Sequence, residues 1–313
     1  MKRRYLLFII LIVIIFVVNV KSKELKITLK KVRNIGSCEK GELYRWIDLT
    51  FDENDNIYVT DMLDYSIKKY DFNGNFIKKV GRKGSGPGEF YSPGLIAYSN
   101  GKIYVTQQMF PGIQVFDKDL NFKYKIKTNI PIMSFRTSPE GKLYLLSPGI
   151  SENDIMKINN PENKHLRINV KYKSFSFLNL GVFNIDKNNN LIRIYFGKNK
   201  IIKYDSSGKK LWVKSIPFLK KEGAKLKIRN HSVSMFKEYI LIDIAIDTEG
   251  LIYVLGGDYS GKKEVYILNH KGDYLTKVKL AESSHRIVIR YNFLFSRGKG
   301  GEAINVYKII KNK

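Results

Sequence analysis

The chain's 313 residues, 43% hydrophobic and including 20 tyrosines and 18 phenylalanines, suit one large or two ordinary domains with a full, strand-rich core. A single cysteine, Cys38, excludes an intrachain disulfide or a thiolate metal cage. The four histidines (165, 231, 270 and 285) are scattered without metal-ligand spacing, and a net charge of +26 directs attention to anionic partners.

Residues 1–22, MKRRYLLFIILIVIIFVVNVKS, set three basic residues before an apolar run from Tyr5 to Val18. As a helix that run spans about 21 Å, short of the roughly 30 Å hydrocarbon core of a bilayer. This is the form of a secretory signal, so export across the cytoplasmic membrane is expected. Val20-Lys21-Ser22 makes a poor cleavage region. A cut leader and a retained anchor, associated with the membrane through residues 5–20, both fit. Residues 23–313 are then expected to form the monomeric folded unit. Without the leader's four basic residues the charge is still +22, which suits polyanion binding. The same charge also follows from a composition rich in Lys, and the pairs 68–69, 78–79 and 262–263 read as solvated faces.

Beyond the leader one phrase recurs. In residues 47–80, IDLTFDENDNIYVTDMLDYSIKKYDFNGNFIKKV, an alternating strand ends in a polar turn and a second strand, IYV, follows. A loop then leads to a third strand ending in Tyr70-Asp71, and a turn with Gly74 opens a fourth. The same beats return in 95–126, 132–170, 182–214 and 241–279, with hairpin residues at each junction. Second strands anchored on Tyr58, Tyr104, Tyr144, Ile192 and Tyr253 are 46, 40, 48 and 61 residues apart. Four short antiparallel strands at that period predict an all-β fold, a β-propeller of stacked blades. The long last interval implies an insertion over 219–239. The tail, 286–310, supplies only part of a sixth blade. Residues 25–34 should complete it as an outer strand beside 303–310.

Glycine-rich GRKGSGPGEF (81–90) follows a strand, but Pro93 and Gly94 break any helix after it. It is therefore expected to connect blades, and not to cradle a phosphate. DENDN (52–56) and DKNNN (186–190) lack the glycine and glutamate of a calcium loop and read as turns. Ser283-Ser284-His285 is sequence adjacency only and makes no triad.

The phrases DENDNIYVTD (52–61), IKKYD (67–71) and GRKGSGPGEFYSP (81–93) resemble the NHL-repeat family and the wider group of bacterial exported six-bladed propellers. The resemblance implies a six-bladed propeller whose last blade is closed by the N-terminal strand. It also implies that connectors share a face with the loops between second and third strands. Arg82 and Lys83 would then lie on a binding face, and Asp61 would cap a strand end. Some such propellers are lactonases or lyases holding a metal in the central channel. Here the inner strands offer Asp48 and Asp243 together with Arg136 and Arg290, and arginines would repel a cation. The expectation is a non-catalytic binding propeller with no cofactor, taking a protein, glycan or other anionic ligand through Arg82, Lys83, Arg136, Arg290 and Asp61, and not DNA. The rivals are a hydrolase or lyase at the channel mouth, and an RNA-binding NHL-type propeller.

Overall fold

The computed structural model describes residues 25–107, 112–128, 132–147, 155–158, 165–166, 180–223, 225–227, 234–236, 239–256 and 262–312. The expected leader lies outside them. Most of the described strands form six successive antiparallel sheets, the blades, whose strands are lettered A to D from the inside out; the two-residue strand His165–Leu166 adds a parallel edge to the outer strand Phe122–Thr128. Blade 1 is Trp46–Phe51, Ile57–Asp61, Ser66–Tyr70 and Phe76–Val80; blade 2 is Pro93–Ser99, Lys102–Gln107, Ile113–Asp117 and Phe122–Thr128. Blade 3 has three described strands, Ser134–Thr137, Leu143–Leu146 and Ile155–Ile158. Blade 4 is Gly181–Ile185, Leu191–Tyr195, Lys198–Tyr204 and Lys210–Lys214. Blade 5 is Leu241–Ile246, Ile252–Gly256, Lys262–Leu268 and Tyr274–Ser284. Blade 6 is Ile287–Arg290, Phe293–Arg297 and Ile304–Asn312, with Lys26–Ile35 as its strand D.

Each blade is covered on both faces by its neighbours. The B strands, such as Ile57–Asp61 and Ile252–Gly256, are therefore buried along their whole length, while the outer strand Phe76–Val80 stays exposed. One apolar cluster fills each gap between successive blades. Tyr58 and Phe116 join blades 1 and 2, Val115 and Phe135 blades 2 and 3, and Tyr144 and Phe183 blades 3 and 4. Ile194 and Val254 join blades 4 and 5, Tyr253 and Leu294 blades 5 and 6, and Trp46 and Val306 blades 6 and 1. The ring is closed.

Closure at the last seam follows the expected pairing. Strand Lys26–Ile35 runs antiparallel to Ile304–Asn312, from Lys26 opposite Asn312 to Ile35 opposite Ile304, with a one-residue register shift between Lys31 and Arg33. Trp46 Nε1 donates to the Ala303 carbonyl at 2.9 Å across the same seam. The insertion between blades 4 and 5 carries a small hairpin, Lys225–Lys227 with Ser234–Phe236.

The repeated turns have one cause. Asp52 Oδ1 accepts from the backbone N–H groups of Asn54 and Asn56, and Asp186 does the same for Asn188 and Asn190. Asp117 and Asp205 repeat this pattern at the C–D turns. DENDN and DKNNN are thus Asx-type turns whose carboxylates are already occupied. One expectation is overturned: Lys68 and Lys69 are not on a solvated face. Strand C is covered on both faces, so both are buried: Lys69 reaches the Lys118 carbonyl of blade 2 at 3.0 Å, and on the opposite face Lys68 lies under the ring of Tyr44, from the segment before blade 1. Lys68 is neutralised there by Asp61 and Asp64, each at 2.9 Å. Lys78 and Lys79, on strand D, are exposed as expected.

Candidate functional site: a charged channel and the loop face around it

The inner strands run side by side in one direction. Ile96 N–H donates to Asp48 Oδ2 at 3.4 Å and Tyr98 N–H to Thr50 Oγ1 at 3.2 Å, in matched steps along blades 1 and 2. In an antiparallel meander, the start of strand A therefore shares one end of the ring with the B–C loops and the D–A connectors. That end is the loop face. The A–B and C–D turns form the other.

A layer of four charges crosses the channel near the loop-face ends of the inner strands. The guanidinium of Arg286, just before the inner strand of blade 6, bridges two neighbours: Nη1 lies 3.1 Å from Asp243 and Nη2 2.5 Å from Asp48. Arg136 of blade 3 approaches the same carboxylates from across the channel, at 3.6 Å from Asp48 and 3.9 Å from Asp243. Backbone donors complete the acceptors: Leu49 N–H serves Asp48 at 2.9 Å and Ile287 N–H serves Asp243 at 2.8 Å. All four side chains are nearly or fully buried. Burial, followed by the like charge of Arg286, lowers the Arg136 pKa to about 10. Burial opposes the charge of Arg286 too, but Asp243 and Asp48 outweigh it and hold that group above its ordinary value. The layer is charge-neutral, and both carboxylates are engaged. Beyond it, toward the A–B turns, lies a cavity of about 170 Å³ walled by Thr50, Ala97, Thr137 and Val288.

The five residues expected to form a site do not converge. Arg136 is in the channel. Arg290 sits at the opposite end of its inner strand, 2.5 Å from Asp55 in the A–B turn of blade 1. Arg286, four residues and so two periods of the alternation earlier in RIVIR, holds the place expected of Arg290. Equal parity along the strand puts both on one side, and only the register along the axis separates them. Asp61 is fully buried and accepts from the backbone N–H groups of Tyr44 and Arg45, at 2.8 and 2.9 Å, and from Lys68. Gln107, at the same repeat position, accepts from Tyr91 N–H at 3.1 Å. Asp61 therefore anchors a connector. Its neighbour Asp64 is ion-paired with Lys68 at 2.9 Å and Lys79 at 2.8 Å. Burial would raise it, but hydrogen bonds from Lys79 and Lys68 prevail and hold it below the ordinary carboxyl range.

Arg82 and Lys83 do lie on the loop face, in the connector between blades 1 and 2. Arg82 is 82% exposed and pairs with Glu89 at 2.7 Å. The Lys83 ammonium sits 5.7 Å from the Tyr65 ring centre. The connector folds on itself through Phe90 N–H to Arg82 O, 2.9 Å, and buries Phe90 against Phe116. Its entry needs Gly81, at φ +113°, where a Cβ would meet the Tyr65 carbonyl at 2.6 Å. Among the described residues no group of three or more His, Cys, Asp or Glu is placed to hold a metal ion.

A family described as a 6-bladed beta-propeller matches residues 42–178, less than half of the chain. No curated protein matches it in sequence. Among solved structures the chain is similar to an auxiliary nutrient binding protein from Bacteroides thetaiotaomicron VPI-5482, at 12% identity over 91% of this chain and 77% of that one, with a TM-score of 0.60. It is also similar to virginiamycin B lyase from Staphylococcus aureus, at 12% identity, 92% and 100% coverage and a TM-score of 0.54. The PQQ-bound aldose sugar dehydrogenase from Streptomyces coelicolor matches at 13% identity, 91% and 99% coverage and a TM-score of 0.58. At these identities the likeness is one of fold, shared by proteins of different chemistry. The chain is an all-β propeller of four-stranded antiparallel blades.

Proposed function

We propose that this is an exported or membrane-anchored, non-catalytic propeller of NHL-like type that binds a protein, an anionic glycan or another polyanion on its loop face. The observation that carries this reading is the channel layer. Where a propeller enzyme would present free acids or metal ligands, Asp48 and Asp243 are committed to Arg286, Arg136 and backbone donors. Exposed basic groups, Arg82 foremost, stand instead on the connectors. The nutrient-binding relative supports a binding role, and the basic balance supports an anionic partner.

The test is heparin binding as a function of salt. Replacing Arg82 and Lys83 by Ala should weaken binding and flatten its salt dependence. Replacing Lys78 and Lys79, on the outer strand, should do less. Equal losses would mean nonspecific basicity and reject the loop face as the binding surface. Export is tested separately, by fusing residues 1–30 to a reporter active only outside the cytoplasm. A silent, cytosolic reporter would favour the RNA-binding rival.

A further inference from the structure

A second group of arginines lies on the loop face, at the seam between blades 6 and 1. There the connector 36–45, the B–C loop 298–303 and the residues Ser283–His285 surround a cleft of about 480 Å³. Arg45 and Arg297 both line it. They are 252 positions apart in sequence, and ring closure alone brings them together.

Three observations make this cleft more than a basic patch. First, neither guanidinium has an ion-pair or side-chain hydrogen-bond partner among the described residues. The layer below contrasts with this, since both of its arginines face carboxylates. Glu302 lines the cleft too and is exposed, but it pairs with neither arginine. Second, Arg297 is built into position. Its guanidinium lies over Gly301, at φ +83°, where a Cβ would come within 2.7 Å of Nε. Behind it, Ser284 Oγ accepts from Arg297 N–H at 3.0 Å and donates to the Arg286 carbonyl at 2.8 Å. Third, two like charges are held together in a partly enclosed place. Burial, and then the charge of Arg45, lower the Arg297 pKa to about 10. An anion between them would remove both penalties.

The geometry points to a binding site for a small organic anion, whose carboxylate, sulfate or phosphate oxygens are taken by Arg45 and Arg297. The planar forks of two arginines suit bidentate capture of such a group. Exposed Tyr44 and Leu63 supply an apolar wall for the ligand's carbon frame. The volume lies within the roughly 300–1,000 Å³ of small-molecule sites. This inference rests on the loop-face reading and names a place and a ligand class for it.

The test is calorimetric titration of the purified protein, at low salt, with glucuronate, inorganic sulfate and inorganic phosphate. At least one should bind, and Arg297→Gln should weaken that binding by about tenfold or more. Arg45→Gln, at an exposed position, carries the test if Arg297→Gln fails to fold. Arg290→Gln, at the far end of the ring, should leave binding unchanged. Glucuronate binding more tightly than the inorganic ions supports the organic anion as stated, whereas equal binding supports only the oxyanion contact and overturns the role of the apolar wall. If the wild type binds none of the three, or if both cleft variants bind like the wild type, the site is rejected. Heparin binding that still depends on Arg82 and Lys83 would then leave the loop-face reading standing without this cleft.

Discussion

Arg286 and Asp48 lie 238 positions apart and meet at 2.5 Å, both buried, where the last blade adjoins the first. The same guanidinium holds Asp243 of blade 5, so one side chain ties three successive blades at the axis. Ring closure is therefore made twice, by the paired strands of blade 6 at the rim and by this ion pair at the centre.

Removing one partner of such a group leaves the others charged and buried. Arg286→Met should cost about 3–5 kcal/mol in denaturant unfolding, because two carboxylates lose their neutralising group. Adding Asp48→Asn should recover part of the loss. Arg290→Met, which breaks a half-exposed pair with Asp55, should cost less than about 1 kcal/mol. Equal costs for the two arginines would show that the axial layer is not structural.

Stability should fall in acid for a reason that can be assigned. Burial tends to raise Asp117, but hydrogen bonds from Lys123 and Asn121 prevail and hold it at about 2. Asp64 and Asp186 are lowered in the same way, by Lys79 with Lys68 and by Lys203 with Asn190. A folded pKa below the unfolded one means the contribution is complete above about pH 4 and is lost as pH falls toward 2. Urea midpoints measured across that window should decline. Asp117→Asn, which keeps the turn's acceptor, should flatten part of the slope. An unchanged slope would remove Asp117 from the account.

Glycines at positive φ are not equivalent. Gly81→Ala combines a positive φ with a 2.6 Å clash against backbone and should destabilise by roughly 2–4 kcal/mol. Gly101→Ala, also at positive φ but with nothing within 4 Å of the new Cβ, should cost about 1 kcal/mol. Thermal melts of the two variants separate strain from collision.

The sequence made the blades legible because every turn carries its own chemistry. Asp52, Asp117, Asp186 and Asp205 mark junctions by bonds to residues two and four positions on, which any reader of local sequence can find. The closing strand was legible too, since LKKVRNIGSCEKGELYRW repeats the order of strand, connector and inner strand. The site was not. Asp48, Asp243 and Arg136 could be placed on inner strands by alternation, but alternation fixes a face and not a height along the axis. Arg290 was therefore expected where Arg286 stands. Burial of the Lys68–Lys69 pair is not legible locally, because Tyr44 covers one lysine and blade 2 the other. Arg45 and Arg297 meet only through ring closure. The basic, glycine-rich RGKGGE (297–302) was the one local sign of their cleft.

Deleting residues 23–35 removes the outer strand of blade 6 and exposes the backbone of Ile304–Asn312. The melting temperature should drop by roughly 10 °C or more, with aggregation, whereas deleting 1–22 should have little effect on either. A deletion of 23–35 that melts like the intact chain would show that the paired termini do not hold the ring.

The most direct test of loop-face binding is hydrogen exchange with and without heparin. Protection should appear in 36–45, 81–92, 283–286 and 298–303, which share the end of the ring where the inner strands begin. The A–B turns at 52–56, 186–190 and 247–250, at the other end, should exchange as before. Protection at those turns, or along the exposed lysines of strand Phe76–Val80 alone, would contradict the account.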